Sequence, residues 1–248
     1  MEELKGKVAV VTGGSGGIGA AAAKSLAEAG VSVVVCYNKG AERAQKAIQG
    51  LPGSNHRIQQ FVLEDSATMK KAVADVRSVY GRCDILINSA GFTQPVPHAK
   101  LDDMTDELMD SMLVANVRGP FAAIRSFAPL MRETGDAVII NVSSVAALSG
   151  TGSSIAYSAS KAALDSITMS LGRVLGPEIR VISVSPGAVN TDFVTGRSQE
   201  ALMKHAAESP LKRVVQTTDV ARTIMGCILY LKNTTGTRVI CDGGRFLG

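Results

Sequence analysis

Residues 7–19 read KVAVVTGGSGGIG, an apolar run that ends in a glycine-rich turn. A solidly apolar run of this kind is typical of a strand that is buried on both faces of a parallel sheet. The residues after the turn are rich in Ala as far as Ala29, and Gly30 then ends what we predict to be a helix. A strand, a glycine turn and a helix in this order collect backbone N–H groups at the positive end of the helix. The stretch therefore predicts a pyrophosphate site in an α/β fold.

The glycine turn fits two motif spacings. Gly14, Gly16 and Gly19 match the general dinucleotide-binding pattern, whereas residues 12–19 also match the spacing TGxxxGIG. Both spacings place a dinucleotide against the same helix N-terminus, and the alternative to both is a tight turn without a ligand. The position between a strand and a helix favours dinucleotide binding.

The rest of the chain continues the alternation of strands and helices. Further strands are predicted at 32–37, 58–63, 84–88, 137–143, 179–185 and 238–241. Further helices are predicted at 41–49, 67–80, 105–132, 155–175, 198–207 and 219–231, with Gly119-Pro120 as a kink in the third of them. Most strands are solidly apolar, which favours a parallel sheet covered by helices on both faces. The prediction is an α/β fold, a three-layer doubly wound parallel sheet, in a single domain over residues 1–248.

Composition narrows the functional classes. The chain has 248 residues, a hydrophobic fraction of 46% and a formal net charge of +4, with no Trp and no run of Lys or Arg, which argues against a nucleic-acid partner. The four cysteines are far apart and predict neither a disulfide nor a metal site. No apolar stretch reaches ~18 residues and the first residues do not resemble a signal peptide, so we expect no membrane partner and a cytoplasmic location.

A second pattern, Ser144 followed by Tyr157 and Lys161, indicates proton-transfer chemistry. On a helix, the four-residue spacing stacks Tyr157 and Lys161 on one face. A phenol has a pKa near ~10, and an ammonium group one turn away is expected to lower it. Ser144, from a different element, is then placed to hydrogen-bond the oxygen on which charge develops. The alternative is a buried helix face with a Lys whose stem packs there and whose amine reaches water.

The end of the second predicted strand bears on the choice of cofactor. A carboxylate that reads the 2′-hydroxyl of NAD normally lies about 20 residues after the glycine turn. Here the strand ends in Tyr37, Asn38 and Lys39, with Arg43 nearby and no carboxylate at the strand end. These side chains suit a 2′-phosphate, so we predict NADP in preference to NAD. The alternative is that Lys39 and Arg43 are solvated surface charges that contact no cofactor.

Taken together, these motifs resemble those of the short-chain dehydrogenase/reductase family over essentially the whole chain. They are TGxxxGIG at 12–19, NSAG at 88–91, Asn116, Ser144, YxxxK at 157–161, and PG at 186–187 followed by Thr191. The resemblance implies a Rossmann fold and an NAD(P)-dependent oxidoreductase that acts on a carbonyl or secondary alcohol group of a small molecule.

The resemblance implies four catalytic residues. Tyr157 is the general acid or base, Lys161 lowers its pKa and binds the nicotinamide ribose, and Ser144 holds the substrate carbonyl. Asn116 anchors a water that links Lys161 to bulk solvent, with a simple helix-kink residue as the alternative. Ser143 is the alternative to Ser144, but only Ser144 lies thirteen residues before Tyr157, as the family spacing requires.

The resemblance also implies cofactor contacts at the strand ends. Glu64 and Asp65 line the adenine edge, with a plain loop carboxylate as the alternative for Glu64. The loop after the fourth strand lines the adenine ribose, and the segment after the sixth strand contacts the nicotinamide amide. The complete predicted set is Gly13, Ser15, Gly16, Gly17, Ile18, Gly19, Tyr37, Asn38, Lys39, Glu64, Asp65, Asn88, Ala90, Gly91, Tyr157, Lys161, Pro186, Gly187, Val189 and Thr191.

Within the family, the chain is most similar to the 3-oxoacyl-carrier-protein reductase-like branch, through PLxR at 210–213 and DGG at 242–244. The basic residues expected to dock an acidic carrier protein are missing, since GD stands at 135–136 and PE at 177–178. A carrier-bound acyl substrate is therefore the alternative to a free carbonyl compound.

Many NADP-using members of the family carry Arg or Lys at the position of Gly16, which weakens the NADP prediction.

Residues 188–215 are polar and poorly periodic, as expected for the family's mobile substrate lid. By analogy with the family, helices around 107–131 and 158–175 pack across a two-fold axis, which predicts a homotetramer, with a homodimer as the alternative.

A catalytically silent protein that senses a dinucleotide is the remaining functional class. Such a protein would lack Ser144, Tyr157 or Lys161, and this chain retains all three.

Overall fold

The computed structural model describes residues 2–247. Within this part of the chain, seven strands form one sheet. They are β1 Val8–Thr12, β2 Ser32–Tyr37, β3 Arg57–Gln60, β4 Ile85–Asn88, β5 Ala137–Val142, β6 Ile179–Pro186 and β7 Thr237–Cys241. The α-helices are α1 Gly17–Glu28, α2 Ala41–Gln49, α3 Ser66–Tyr80, α4 Asp106–Leu113, α5 Gly119–Arg132, α6 Ala146–Ser149, α7 Ile155–Val174, α8 Gln199–Glu208 and α9 Thr217–Leu229.

The sheet is parallel throughout, in the order β3-β2-β1-β4-β5-β6-β7. The order reverses between β1 and β4, because the chain first builds outward to β3 and then returns to the other side of β1. In such sheets the crevice at this switch, beyond the carboxyl ends of the strands, is where ligands bind. The predicted doubly wound, three-layer fold is confirmed.

Alternate residues of the central strands supply two separate apolar layers, since successive side chains point to opposite faces. Ala9 and Val11 pack into the layer that also contains buried residues of α1, α2 and α9. Val8 and Val10 pack into the opposite layer, with buried residues of α3 and α5 and with Leu171 of α7. Burial on both faces explains why the strands read as continuous apolar runs.

The helical stretch predicted at 105–132 is irregular at a different place from the one expected. The break is a π-helical segment, Val114–Arg118, between α4 and α5, whereas Gly119-Pro120 begins α5. Pro120 has no N–H to donate to the preceding turn, and that turn is the π-helical segment itself. A Cβ on Gly119 would come within 2.9 Å of Leu63 Cβ, so the glycine is explained by packing and not by a kink.

Smaller differences concern the ends of elements. β3 runs over 57–60, whereas the sequence predicts 58–63, although Phe61 N still donates to Tyr37 O at 2.8 Å. Glu3 and Lys7 lie at the amino ends of the strands, on the side of the sheet opposite to the switch crevice. There Lys232 Nζ lies 3.5 Å from Glu3 Oε2, and Lys7 Nζ lies 3.3 Å from Asp136 Oδ2, just before β5.

No helix among the described residues combines the length and apolar character needed to cross a membrane.

Candidate active site

The glycine turn after β1 forms an open cradle of backbone. Gly13 has a φ of +67°, and a Cβ on it would lie 3.0 Å from the backbone of Ala90. A Cβ on Gly19 would lie 2.4 Å from Gly13 O, so no side chain fits where α1 crosses the turn. α1 begins at Gly17, and its N-cap Gly16 offers no side-chain oxygen to the free N–H groups of the first turn. The cradle therefore fits the pyrophosphate of a dinucleotide.

Thr12 fixes the turn to the end of β4. Its Oγ1 accepts hydrogen bonds from Ser89 N and Ala90 N, both at 3.1 Å, and lies 3.3 Å from Ile87 O, to which it donates. This pairing places the predicted ribose-binding loop, which includes Ala90 and Gly91, directly beside the glycine cradle.

Asn88 carries an unused acceptor at the same place. Its Nδ2 donates to Asn141 Oδ1 of β5 at 2.9 Å, while its Oδ1 is buried and has no hydrogen-bond partner among residues 2–247. A buried acceptor without a partner is costly. A ligand hydroxyl at this position would satisfy it.

The residues predicted to lie at the far end of the cofactor follow β2 and β3. Tyr37 is partly buried at the end of β2, and Asn38 and Lys39 are exposed beyond it. Glu64 is exposed, and its carbonyl accepts from Arg118 Nη2 at 3.0 Å. Asp65 caps α3, since its Oδ1 accepts from Ala67 N at 2.8 Å. Asp65 thus has a structural task that the sequence analysis did not foresee, and contact with adenine stays a prediction.

The segment after β6 closes the cradle from the other side. Pro186 O accepts from Val145 N at 3.0 Å, and a Cβ on Gly187 would lie 2.9 Å from Asp242 Cβ. Thr191 lies against the start of α1, because a Cβ on Gly17 would be 3.6 Å from Thr191 Cγ2. The predicted contact residues after β1, β4 and β6 are therefore brought together at one sheet edge.

Ser144, Tyr157 and Lys161 meet at this same edge. Ser144 follows β5, and its Oγ accepts from Ala146 N at 3.1 Å. Tyr157 lies in the first turn of α7, where Ser154 Oγ caps its backbone N–H at 3.2 Å. Lys161 is one turn further along, with Nζ 5.8 Å from the centroid of the Tyr157 ring. The predicted stacking of the phenol and the ammonium on one helix face is present.

The electrostatics of Tyr157 differ from the expectation that Lys161 lowers its pKa. Burial raises the pKa of the Tyr157 phenol, and this effect exceeds the lowering influences of the Ser144 hydrogen bond and the Arg197 charge. Lys161 instead donates from Nζ to Val142 O at 2.8 Å. Burial lowers the pKa of Lys161 to about 8, against the opposing charge of Asp165.

Asn116 lies in the π-helical segment and is 1% exposed. Its Oδ1 accepts from Phe92 N at 2.9 Å, and its Nδ2 donates to Phe92 O at 2.8 Å and to Ser160 Oγ at 3.1 Å. These bonds tie the loop after β4 to α7, one residue before Lys161. π-helical turns are frequent at functional sites, and the water relay through Asn116 stays a prediction.

The predicted lid contains α8 and packs over the phenol. The ring of Phe193 lies 6.0 Å from that of Tyr157, centroid to centroid. The lid is attached to the carboxyl-terminal segment, since Leu211 N donates to Gly243 O at 3.0 Å and a Cβ on Gly244 would lie 2.8 Å from Pro210 Cγ.

Arg197 is the site residue that the sequence analysis missed. It belongs to the lid, and its charge acts on the Tyr157 phenol. No spacing or periodicity in the lid distinguishes it from the other basic residues of the chain. Within residues 2–247, no group of three or more His, Cys, Asp or Glu side chains is arranged to hold a metal ion.

Comparison with known proteins identifies the family. The model of the family described as short chain dehydrogenase matches residues 7–202, which include both the glycine cradle and Ser144, Tyr157 and Lys161. The chain belongs to the short-chain dehydrogenase family. As a short-chain dehydrogenase, it is an oxidoreductase of the class that uses NAD(P), and the resemblance found in its sequence is confirmed.

Two relatives and one solved structure show how far the similarity extends. Carbonyl reductase family member 4 of Danio rerio is 34% identical over 239 residues, 96% of this chain and 97% of that protein. The 3-oxoacyl-acyl-carrier-protein reductase FabG of Staphylococcus aureus is 31% identical over 247 residues, 97% of this chain and 98% of that protein. A short chain dehydrogenase from Burkholderia cenocepacia, solved in complex with NADP, is 34% identical with a TM-score of 0.88 and covers 98% of both chains.

Proposed function

We propose that this short-chain dehydrogenase transfers a hydride between a nicotinamide, preferably that of NADP(H), and a carbonyl or secondary alcohol carbon. The observation that carries the proposal is the meeting of Ser144, Tyr157 and Lys161 beside a backbone cradle that fits a pyrophosphate. When bound, the nicotinamide supplies or accepts the hydride, and the protein orients the reactants and moves the proton.

Tyr157 is the proposed acid and base. In reduction its hydroxyl donates a proton to the carbonyl oxygen, and in oxidation the phenolate takes the proton of the alcohol. Because burial raises the pKa of Tyr157, the phenol is protonated at neutral pH and is ready to act as the acid.

Ser144 and Lys161 have separate tasks in this proposal. The Ser144 hydroxyl, whose interaction with the phenol lowers the pKa of Tyr157, holds the same substrate oxygen on which negative charge develops. Lys161 binds the nicotinamide ribose, and its Nζ is held in place by Val142 O at 2.8 Å. Asn116 positions α7 through Ser160 Oγ and anchors the water that supplies protons to Lys161.

The preference for NADP rests on the end of β2. Asn38 and Lys39 are exposed there and no carboxylate follows Tyr37 directly, so a 2′-phosphate finds donors and no repulsion. The NADP complex of the Burkholderia relative supports the same choice. Fluorescence titration of the protein with NADPH and NADH tests it, and a preference for NADH of about tenfold or more, equal to ~1.4 kcal/mol, would overturn it.

A free carbonyl compound is proposed in preference to a carrier-bound acyl group. A carrier-bound acyl substrate is the second candidate, because the 3-oxoacyl-acyl-carrier-protein reductase of Staphylococcus aureus is a relative of this chain. The surface before β5 is not basic, however, because Asp136 already pairs with Lys7 at 3.3 Å and with Lys232 at 3.6 Å. An acidic carrier protein has no cationic patch to meet at this place.

Replacement of Tyr157 tests the mechanism. We expect Tyr157→Phe to lower kcat for carbonyl reduction by about 10²- to 10⁴-fold, the usual contribution of a positioned proton donor, while NADPH binding changes little. Tyr230→Phe is the matched control, since Tyr230 is 80% exposed and should leave kcat unchanged. Turnover of Tyr157→Phe within about threefold of the wild-type value would refute the role of Tyr157 as the acid.

The homotetramer stays a prediction. Exposed apolar side chains on the two helices concerned support it: Phe121 of α5 is 39% exposed, and Met169 and Val174 of α7 are 42% and 63% exposed. Such side chains are commonly covered by a second copy in symmetric oligomers.

A further inference from the structure

We infer that Arg197 binds a carboxylate of the substrate, so that the site takes an oxo acid, a carbonyl compound that carries its own carboxylate. The inference rests on the proposed function, because it places the carbonyl at Ser144 and Tyr157. It adds the chemical class of the substrate and a residue that selects it.

Arg197 is held in place by the protein, and within residues 2–247 no carboxylate forms an ion pair with it. Its Nη2 donates a short hydrogen bond to Val189 O, and Val189 is itself buried and forms a parallel bridge with Val215. Its Nε is buried without a hydrogen-bond partner among residues 2–247. Within the same part of the chain, no Asp or Glu oxygen lies within the 4.0 Å of an ion pair with Arg197.

Arg197 lies on the side of the lid that covers the reacting group. The lid packs Phe193 against Tyr157, with ring centroids 6.0 Å apart, and Arg197 follows four residues later. The hydrogen bond from Arg197 Nη2 to Val189 O places the guanidinium on the segment after β6, which borders the same site. We therefore expect a small molecule whose carbonyl lies at Tyr157 to reach Arg197 with a second group.

The surroundings of Arg197 add positive charge. Burial lowers the pKa of Arg197 and of His205 in α8, and the like charge of Arg245 in the carboxyl-terminal segment lowers both further. The carboxylate of Asp242 is occupied by the backbone, since it accepts from Gly244 N at 2.8 Å and from Phe246 N at 2.7 Å. Glu208 lies 3.8 Å from His205 Nδ1 and is 56% exposed, so it offers little compensation.

This arrangement selects for an anion on the substrate. A partly buried guanidinium without a counter-ion loses solvation without an equivalent gain. A carboxylate supplies two oxygens to the planar fork of Arg and makes charge-assisted bonds, which neutral esters and thioesters cannot match. We therefore expect the ionised acid to bind with its carbonyl at Tyr157 and its carboxylate at Arg197.

Matched substrate pairs test the inference. The probes are pyruvate, acetoacetate and levulinate, each compared with its methyl ester, so that charge and the spacing from the carbonyl vary separately. For the wild type we expect kcat/KM of at least one acid to exceed that of its ester by about tenfold or more. Arg197→Gln should lower kcat/KM for that acid by about 10- to 100-fold and for the ester by less than about threefold, because only the acid loses a charged partner.

Control variants separate charge selection from other causes. Lys204→Gln removes an exposed charge from α8 and should leave kcat/KM unchanged for both the acid and its ester. Arg197→Lys keeps the charge and should restore part of the preference for the acid. If Arg197→Gln lowers kcat/KM equally for the acid and the ester, Arg197 acts in folding and the inference is overturned. If KM for NADPH also rises with both substrates, Arg197 binds the cofactor phosphates and the inference is likewise overturned.

A binding measurement keeps the inference testable without turnover. The thermal midpoint of the wild type with NADP should rise in the presence of the acid and not of its ester, and the rise should be absent in Arg197→Gln. Activity with esters but no acid preference and no such shift would reject the oxo acid while leaving the oxidoreductase proposal intact. Absence of activity with every carbonyl, together with an acid-specific shift, would reject the proposed function and retain the carboxylate site.

Discussion

Replacing Asn116 by Ala removes the contacts that tie the loop after β4 to α7. The side chain makes three hydrogen bonds, two to the backbone of Phe92 and one to Ser160 Oγ. Phe92 is 39% exposed, so water can replace part of what it loses. Ser160 is 0% exposed, and its Oγ keeps the hydrogen bond that it donates to Tyr157 O at 2.8 Å but finds no water to replace the Asn116 amide as a donor. The variant should therefore be destabilised, and most strongly through the Ser160 contact.

The size of the loss follows from these exposures. Net contributions of hydrogen bonds lie near ~0.5–1.5 kcal/mol, the low end applying to the two Phe92 bonds and the high end to Ser160. We expect the free energy of unfolding to fall by about 2–3 kcal/mol. In a chain of this size, that corresponds to a decrease of about 4–12 °C in Tm. Because Lys161 follows Ser160 directly, kcat measured well below Tm should also fall.

Thermal unfolding followed by circular dichroism, with NADPH oxidation as the activity assay, measures both effects. Asn233→Ala is the matched control, since Asn233 is exposed and should leave Tm and kcat unchanged. A Tm within about 2 °C of the wild-type value would contradict the role of the hydrogen bonds. Loss of stability with an unchanged kcat would show that Asn116 is structural and takes no part in proton supply.

Two further predictions concern the cradle and the proton donor. Gly19→Ala should abolish NADPH binding in a fluorescence titration, because the added Cβ would lie 2.4 Å from Gly13 O. Gly226→Ala in α9 is the control, because no atom lies within 4 Å of the added Cβ. This variant should bind NADPH normally and gain up to ~1 kcal/mol of stability. In reduction, kcat/KM for NADPH reports the free enzyme and should be level at lower pH but fall above about pH 8, where Lys161 loses its proton. A profile that stays level to about pH 10 would contradict the lowered pKa of Lys161.

The fold was predictable because its decisive features are local. β1 and β5 are buried on both faces and therefore read as runs that are apolar except for Thr12 and Asn141, and the glycine turn is followed by a helix, as predicted. Ser144 and Tyr157 are also close in sequence, so the loop between β5 and α7 is short enough for motif spacing to bring them together.

What the sequence did not reveal depends on tertiary contacts. The π-helical segment arises where Asn116 bonds to Phe92, a residue in a different loop. The pKa of Tyr157 is raised because the folded protein buries the phenol, an effect that the spacing to Lys161 does not contain. Arg197 lies in a polar segment without periodicity, and only the folded lid brings its charge to Tyr157.

The attachment of the lid to the carboxyl-terminal segment affects how the protein should be handled. Leu211 is bonded to Gly243, and Pro210 packs against Gly244, so a peptide joined to the carboxyl-terminal segment would lie next to the predicted lid. Glu3 lies on the other side of the sheet, near Lys232. Purification handles and surface-immobilisation anchors joined before Glu3 are therefore expected to leave substrate entry undisturbed.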